Sequence, residues 1–130
     1  SGNTLRDVNG GGLFTLDVEL PDQQSSVVYA GTGGQGVWKS TDFGHSWVNA
    51  SIGLTVPFVL CLAVDPSNPQ IVYAGTAGGG VFVSNDGAGT WVPLGNITNK
   101  FVTSLVVDPR MPGTVYAGTE GGGVFRLTRP

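Results

Sequence analysis

The sequence predicts an all-β fold made of repeated four-stranded antiparallel sheets, and three observations predict it. The phrase VYAGT occurs at Val28 to Thr32, at Val72 to Thr76 and at Val115 to Thr119. Its tyrosines, Tyr29, Tyr73 and Tyr116, are spaced 44 and 43 residues apart, a period that suits one four-stranded blade of a β-propeller. The 130 residues include 22 glycines and 8 prolines but are only 12% charged, a composition of tight turns rather than of helices or a disordered tail.

Each repeat opens with an apolar run, TLDVELP, LCLAVDP or SLVVDPR. VYAGT follows, then a glycine-rich stretch (GTGGQG, GTAGGG, GTEGGG) and GVW, GVF or GVF. Short apolar or alternating runs bounded by Gly, Pro, Asn and Asp read as strands, here A, B and C, and the glycine-rich stretches read as tight hairpin turns. In the first two repeats an Asp-containing turn, STDFGHSW (Ser40 to Trp47) or SNDGAGTW (Ser84 to Trp91), leads into a fourth strand, D. The repeats fall at about 15–50, 59–94 and 102–127, in one unit spanning 1–130.

The third repeat reaches RLTRP without an Asp turn, whereas Gly2 to Leu5 aligns with Gly44 to Trp47 and with Ala88 to Trp91. Residues 3 to 9 are therefore expected to be a D strand that completes the last blade, since pairing such ends removes exposed strand edges. Propeller rings carry about four to eight blades, so closure is expected between chains. A homodimer would give six blades, with the strand supplied by the partner chain, and a trimer would give nine. A chain excised from a longer propeller is the alternative.

The formal charge is −3 and the few Lys and Arg are scattered, which argues against nucleic acid or an acidic membrane as partner. No apolar run reaches about 18 residues, and no charged leader precedes an apolar core. Cys61, the one cysteine, sits in VLCLAV and reads as a small buried hydrophobe rather than a nucleophile.

The pattern Ser-x-Asp-x-Gly-x-Ser/Thr-Trp resembles the Asp-box, or bacterial neuraminidase repeat. Ser40, Asp42, Gly44, Ser46 and Trp47 match it throughout, while the second copy matches at Ser84, Asp86, Thr90 and Trp91 but places Ala88 where the glycine belongs. An Asp carboxylate can accept backbone N–H groups, a Gly can take positive φ, and a Trp can pack beneath, so the spacing needs no substrate. The resemblance implies a structural turn on the outer C to D hairpin, away from the channel. Longer phrases such as VYAGTGGQGVWKSTDFGHSW are similar to the repeats of xyloglucan-degrading glycoside hydrolases, photosystem II assembly propellers and sortilin-type receptors. That likeness implies a propeller and an extracellular or periplasmic location, and leaves the function open.

Catalysis would need convergent carboxylates or a nucleophile with its base. Arg6, Arg110, Arg126 and Arg129 stand at unrelated repeat positions, and His45 lies inside the Asp turn. Asp65-Pro66 and Asp108-Pro109 read as A to B turns. Asp17 aligns with Ala63 and Val106, and Glu19 shares its face; the pair are weak candidates for a cation site, the plainer reading being a solvated acidic lining. No cofactor is expected. The ligand candidates are Gln35, Glu120, Asn99 and Lys100 beside the loops, with Trp38 on strand C as either an aromatic platform or a ring packed between blades. Together these features read as a non-catalytic binding or interaction module with a carbohydrate or protein ligand. A fragment or relative of a glycoside hydrolase is the alternative, and an excised or designed repeat with no evolved ligand is a further one.

Overall fold

A computed structural model describes residues 15–20, 26–97, 100–111 and 113–129. Residues 3 to 9 and Asn99 lie outside these. Eleven strands are described, in three antiparallel sheets. The first holds β1 (Thr15–Glu19), β2 (Val28–Thr32), β3 (Val37–Ser40) and β4 (Val48–Asn49) in that order. The second holds β5 (Val59–Val64), β6 (Val72–Thr76), β7 (Val81–Ser84) and β8 (Val92–Leu94). The third has three strands among the described residues: β9 (Val102–Val107), β10 (Thr114–Thr119) and β11 (Gly123–Thr128).

Pairing with the VYAGT strand fixes the register, because a slip of one residue would turn each side chain to the opposite face. Gly31 faces Asp17, Gly75 faces Cys61 and Gly118 faces Ser104. This corrects the alignment of Asp17. Its counterparts are Cys61 and Ser104, and it is Glu19 that shares the register of Ala63 and Val106, opposite the tyrosines. The apolar run of the first repeat matches the others loosely, so it is a poor ruler. Counting back from the tyrosine works, since Asp17, Cys61 and Ser104 each lie twelve positions before it.

Inner strands of successive blades lie side by side, β1 with β5 and β5 with β9. The VYAGT glycine makes room for this approach. A Cβ on Gly31 would lie 2.7 Å from Val59 Cγ1, and one on Gly75 would lie 2.6 Å from Val102 Cγ1 while striking Cys61 Sγ. Each glycine thus admits the first residue of the next blade's inner strand. Two apolar clusters fill the junctions: Val37, Val59, Leu62, Phe82 and Trp91 between the first and second blades, and Tyr73, Val81, Val102, Val115 and Leu127 between the second and third.

Polar ties cross the same junctions. Leu62 N–H donates to Asp17 Oδ2 at 2.7 Å, and Cys61 Sγ to the Val102 carbonyl at 3.5 Å. Toward the rim, Lys39 Nζ donates to the Gly87 carbonyl at 2.8 Å and Trp91 Nε1 to the Ala50 carbonyl at 2.8 Å. Burial, with the Asp17 charge adding to it, pushes the Cys61 thiol up to about 12, so it is neutral and unreactive at ordinary pH.

Candidate functional site

The two Asp turns share one hydrogen-bond pattern. Asp42 Oδ1 accepts Ser40 Oγ at 2.7 Å and Ser46 N–H at 2.9 Å, and Oδ2 accepts Ser46 Oγ at 2.6 Å. Asp86 accepts Ser84 Oγ, Thr90 N–H and Thr90 Oγ1, each at 2.8 Å. The serine hydroxyl in turn accepts Gly44 N–H at 2.8 Å in one copy and Ala88 N–H at 2.9 Å in the other. Gly44 has φ of 85° and Ala88 has φ of 69°, so the alanine does adopt the glycine's left-handed conformation. Its methyl group is buried in the same cluster as Trp91, which helps offset a strain of about 1–2 kcal/mol. Phe43 and His45 in the first turn are exposed.

Hydrogen bonds from Ser46, then from Ser40, hold the Asp42 carboxyl down to about 2, and those from Thr90 and Ser84 lower Asp86. With the folded value depressed, the carboxylate's contribution to stability is complete above its ordinary value of 3.8 and is lost as pH falls toward the folded one. Asp42→Asn should therefore lower the melting temperature by a few degrees at neutral pH, and the gap from the parent should nearly close by about pH 2. Thermal melts at neutral pH and at about pH 4 and 2 check this; a gap independent of pH would show that the ionised carboxylate is not what the turn uses.

On the axial side a cleft of about 350 Å³ is lined by Asp17 and Glu19 of β1, Leu60 and Leu62 of β5, and Thr103 and Leu105 of β9. Asp17 accepts Val18 N–H at 2.8 Å on one oxygen and Leu62 N–H on the other, which makes it a tie between blades. Burial, then the charge of Asp17, raises Glu19. Among the described residues no group of three or more His, Cys, Asp or Glu converges on one point. The Asp-Pro turns use their carboxylates locally: Asp65 Oδ1 accepts Ser67 N–H and Oγ, and Asp108 accepts Arg110 N–H and Tyr116 Oη.

At one end of the blades the B to C hairpins are closed by the threonine of VYAGT. Thr32 donates N–H and Oγ1 to the Gly36 carbonyl at 3.0 and 2.8 Å, and Thr76 repeats this with Gly80 at the same distances. Thr119 Oγ1 donates to Gly123 at 2.7 Å. These internal bonds make the turns self-contained hairpins. Gln35, Lys100 and Glu120 are exposed at this end; the carbonyl of Lys100 accepts Gly78 and Gly80 N–H, and Glu120 N–H donates to the Phe101 carbonyl. Trp38 is buried against Ala30 and Trp47 and donates Nε1 to the Gln35 carbonyl at 3.2 Å, so its ring offers no open face.

Two residues at this end close the D to A segments near Asn49 to Phe58 and Gly95 to Phe101, candidate ligand-facing connections in the sequence, though neither phenylalanine stands out there by itself. Phe58 bridges to Gly33, and Phe101 to Ala77, across the blade junctions. A Cβ on Gly34 would lie 3.4 Å from the Phe58 ring, and one on Gly78 would lie 3.7 Å from the Phe101 ring. Both rings remain half-exposed. Phe14, Phe58 and Phe101 recur at the 44- and 43-residue spacing of the tyrosines, which was the available signal; Phe14 lies outside the described residues. Beside Lys100 a groove of about 70 Å³ runs past Gly80, Pro93, Gly95 and Asn96.

No protein-family model matches the chain, and no curated protein does. Among solved structures it is similar to an ancestral GH74 enzyme, at 29% identity and a TM-score of 0.74, covering 83% of this chain and 14% of that one. It is also similar to the computationally designed Ika4 protein, at 17% identity and a TM-score of 0.68 over 89% of this chain and 66% of that one. YCF48 from Cyanidioschyzon merolae is 11% identical with a TM-score of 0.68, over 88% of this chain and 34% of that one. The chain thus spans about a seventh of the GH74 enzyme and a third of YCF48. It is an all-β, partial β-propeller of three blades.

Proposed function

We propose that the chain is a non-catalytic binding module that takes a carbohydrate on the end bearing the glycine-rich hairpins. The observation that carries this reading is the pair of half-exposed phenyl rings, Phe58 and Phe101, seated over hairpin glycines at successive blade junctions. About half of each ring's surface remains exposed above the hairpin glycines, and an aromatic surface with a few polar neighbours is how sugar C–H surfaces and hydroxyls are met together. Gln35, Lys100 and Glu120 supply polar groups at the same end. The carboxylates of Asp17, Asp42, Asp86 and Asp108 already accept structural hydrogen bonds, which favours binding over acid–base chemistry.

Likeness to the ancestral GH74 enzyme supports a second reading, a relative of a glycoside hydrolase that shares its blades. One experiment separates the two. Plant polysaccharide oligomers and a glycan array are tested for binding, and the same oligomers for release of new reducing ends. Binding without turnover is expected, weakened about tenfold by Phe101→Ala, the scale of about 1.4 kcal/mol, with the melting transition retained. Turnover abolished by changing a single carboxylate would establish the enzyme reading. Binding indifferent to both Phe58→Ala and Phe101→Ala, or binding only to proteins, would overturn the proposed site.

A further inference from the structure

The two junctions inside the chain define what each blade face needs, and the register identifies the same positions on the faces at either end. Val37, Val81 and Val124 stand opposite Gly31, Gly75 and Gly118. Val37 is 0% and Val81 2% exposed, each covered by the following blade, whereas Val124 is 73% exposed. Rings of Phe58 and Phe101 cover Gly34 and Gly78, but a Cβ on Gly121, the matching glycine, would meet no atom of the described residues within 4 Å. On the face of the first blade that points the other way, Val18 is 54% exposed, while Leu62, in the same register, is 3% exposed.

We propose that these two faces are the halves of one interface and that a second copy of this chain supplies the missing half, head to tail. The occupant follows from repetition: the third blade presents the face that the first and second blades bury, and the first blade presents the face that the second and third bury. Placed as at the internal junctions, Val124 and Val106 pack toward the partner's Val18. The partner's Thr15, which holds the register of Val59 and Val102, lies over Gly118 as Val59 lies over Gly31 and Val102 over Gly75. Arg126 stands opposite Tyr116 as Lys39 stands opposite Tyr29. Lys39 donates to the carbonyl of Gly87, the residue after the turn aspartate; Arg126 correspondingly donates to the carbonyl of the partner's Phe43. A heterologous interface of this kind closes into a ring when the rotation per chain completes a turn.

The internal junctions also provide the test. A Cβ on Gly31 would lie 3.3 Å from Val59 Cβ, and one on Gly75 would lie 3.1 Å from Val102 Cβ, within a few tenths of an ångström of the roughly 3.5–4.5 Å spanned by disulfides. Full-length Thr15→Cys and Gly118→Cys variants are mixed under mild oxidation and run on a non-reducing gel. A covalent pair is expected from the mixture and from the double variant, with no bond within either single variant; Cys61 stays buried and protonated. A ladder of larger products from the double variant would equally support the joint, with more than two chains in the ring. No cross-link from variants that retain the parent melting transition would overturn it. Arg126→Glu provides an independent check, since Arg126 is exposed and its loss should leave the single chain folded. We expect association weakened about tenfold; association unchanged by this substitution would contradict the joint as drawn.

Discussion

Trp91→Ala is expected to cost about 3–5 kcal/mol of stability, the range for a large buried aromatic reduced to alanine. Trp91 is buried in the cluster between the first and second blades. It also closes the junction with polar bonds, donating Nε1 to the Ala50 carbonyl and its N–H to the Ile52 carbonyl, each at 2.8 Å. Gly53 completes the seat, because a Cβ there would strike the Trp91 carbonyl oxygen. Trp47, the same residue of the first turn, donates Nε1 to Gly44 within its own turn at 3.1 Å and is only partly buried. Its replacement by alanine should cost clearly less. Urea unfolding of both variants checks this, and equal losses would mean that the second turn does not clamp the blades together. For a domain with about 5–15 kcal/mol in total, the Trp91 loss is large enough to leave part of the population unfolded.

Gly75→Val should rank next. The backbone at Gly75 is not in the left-handed region, so the penalty comes from packing alone. Its methyl groups would enter space held by Cys61 Sγ and by Val102 Cγ1, 2.6 Å from the new Cβ, and overpacking of this kind costs about 1–3 kcal/mol or more. Gly118→Ala is the natural contrast. A Cβ there meets only the Ser104 side chain, which is exposed and can turn aside, so the single chain should lose under about 1 kcal/mol. Shortening Val102 to Ala in the Gly75→Val background should recover part of the loss, with a coupling of at least about 0.5 kcal/mol in a double-mutant cycle. Additive losses would show that the glycine is not there to admit the next blade.

The fold was legible because VYAGT encodes several layers of the blade at once. Its Val and Tyr fill the junction clusters, its Gly admits the neighbouring strand, and its Thr closes the hairpin that follows. Among the described residues the third sheet has three strands, and the strand expected at residues 3 to 9 lies outside them. Contacts between repeats were harder to see. Phe58 and Phe101 look like unremarkable loop ends until the preceding blade's hairpin glycines are brought beneath their rings. Trp38 reads in the sequence as either a platform or a packed ring, because a tryptophan on a short strand can face either way; pairing with Ala30 sets its face, and the ring is buried with Trp47. Asp17 was misaligned because its repeat departs from the Asp-Pro ending shared by the other two, and only the ladder to Gly31 reveals its role as a tie to Leu62.

That the two end faces are one repeated interface, filled by another copy of the chain, is tested most directly by light scattering across a dilution series of the unmodified protein. We expect a particle of at least two chains, twice the 13.4 kDa of one chain for a six-blade ring, with a mass that holds over the series. A mass of one chain at every concentration, from protein with an intact β-sheet spectrum, would contradict it.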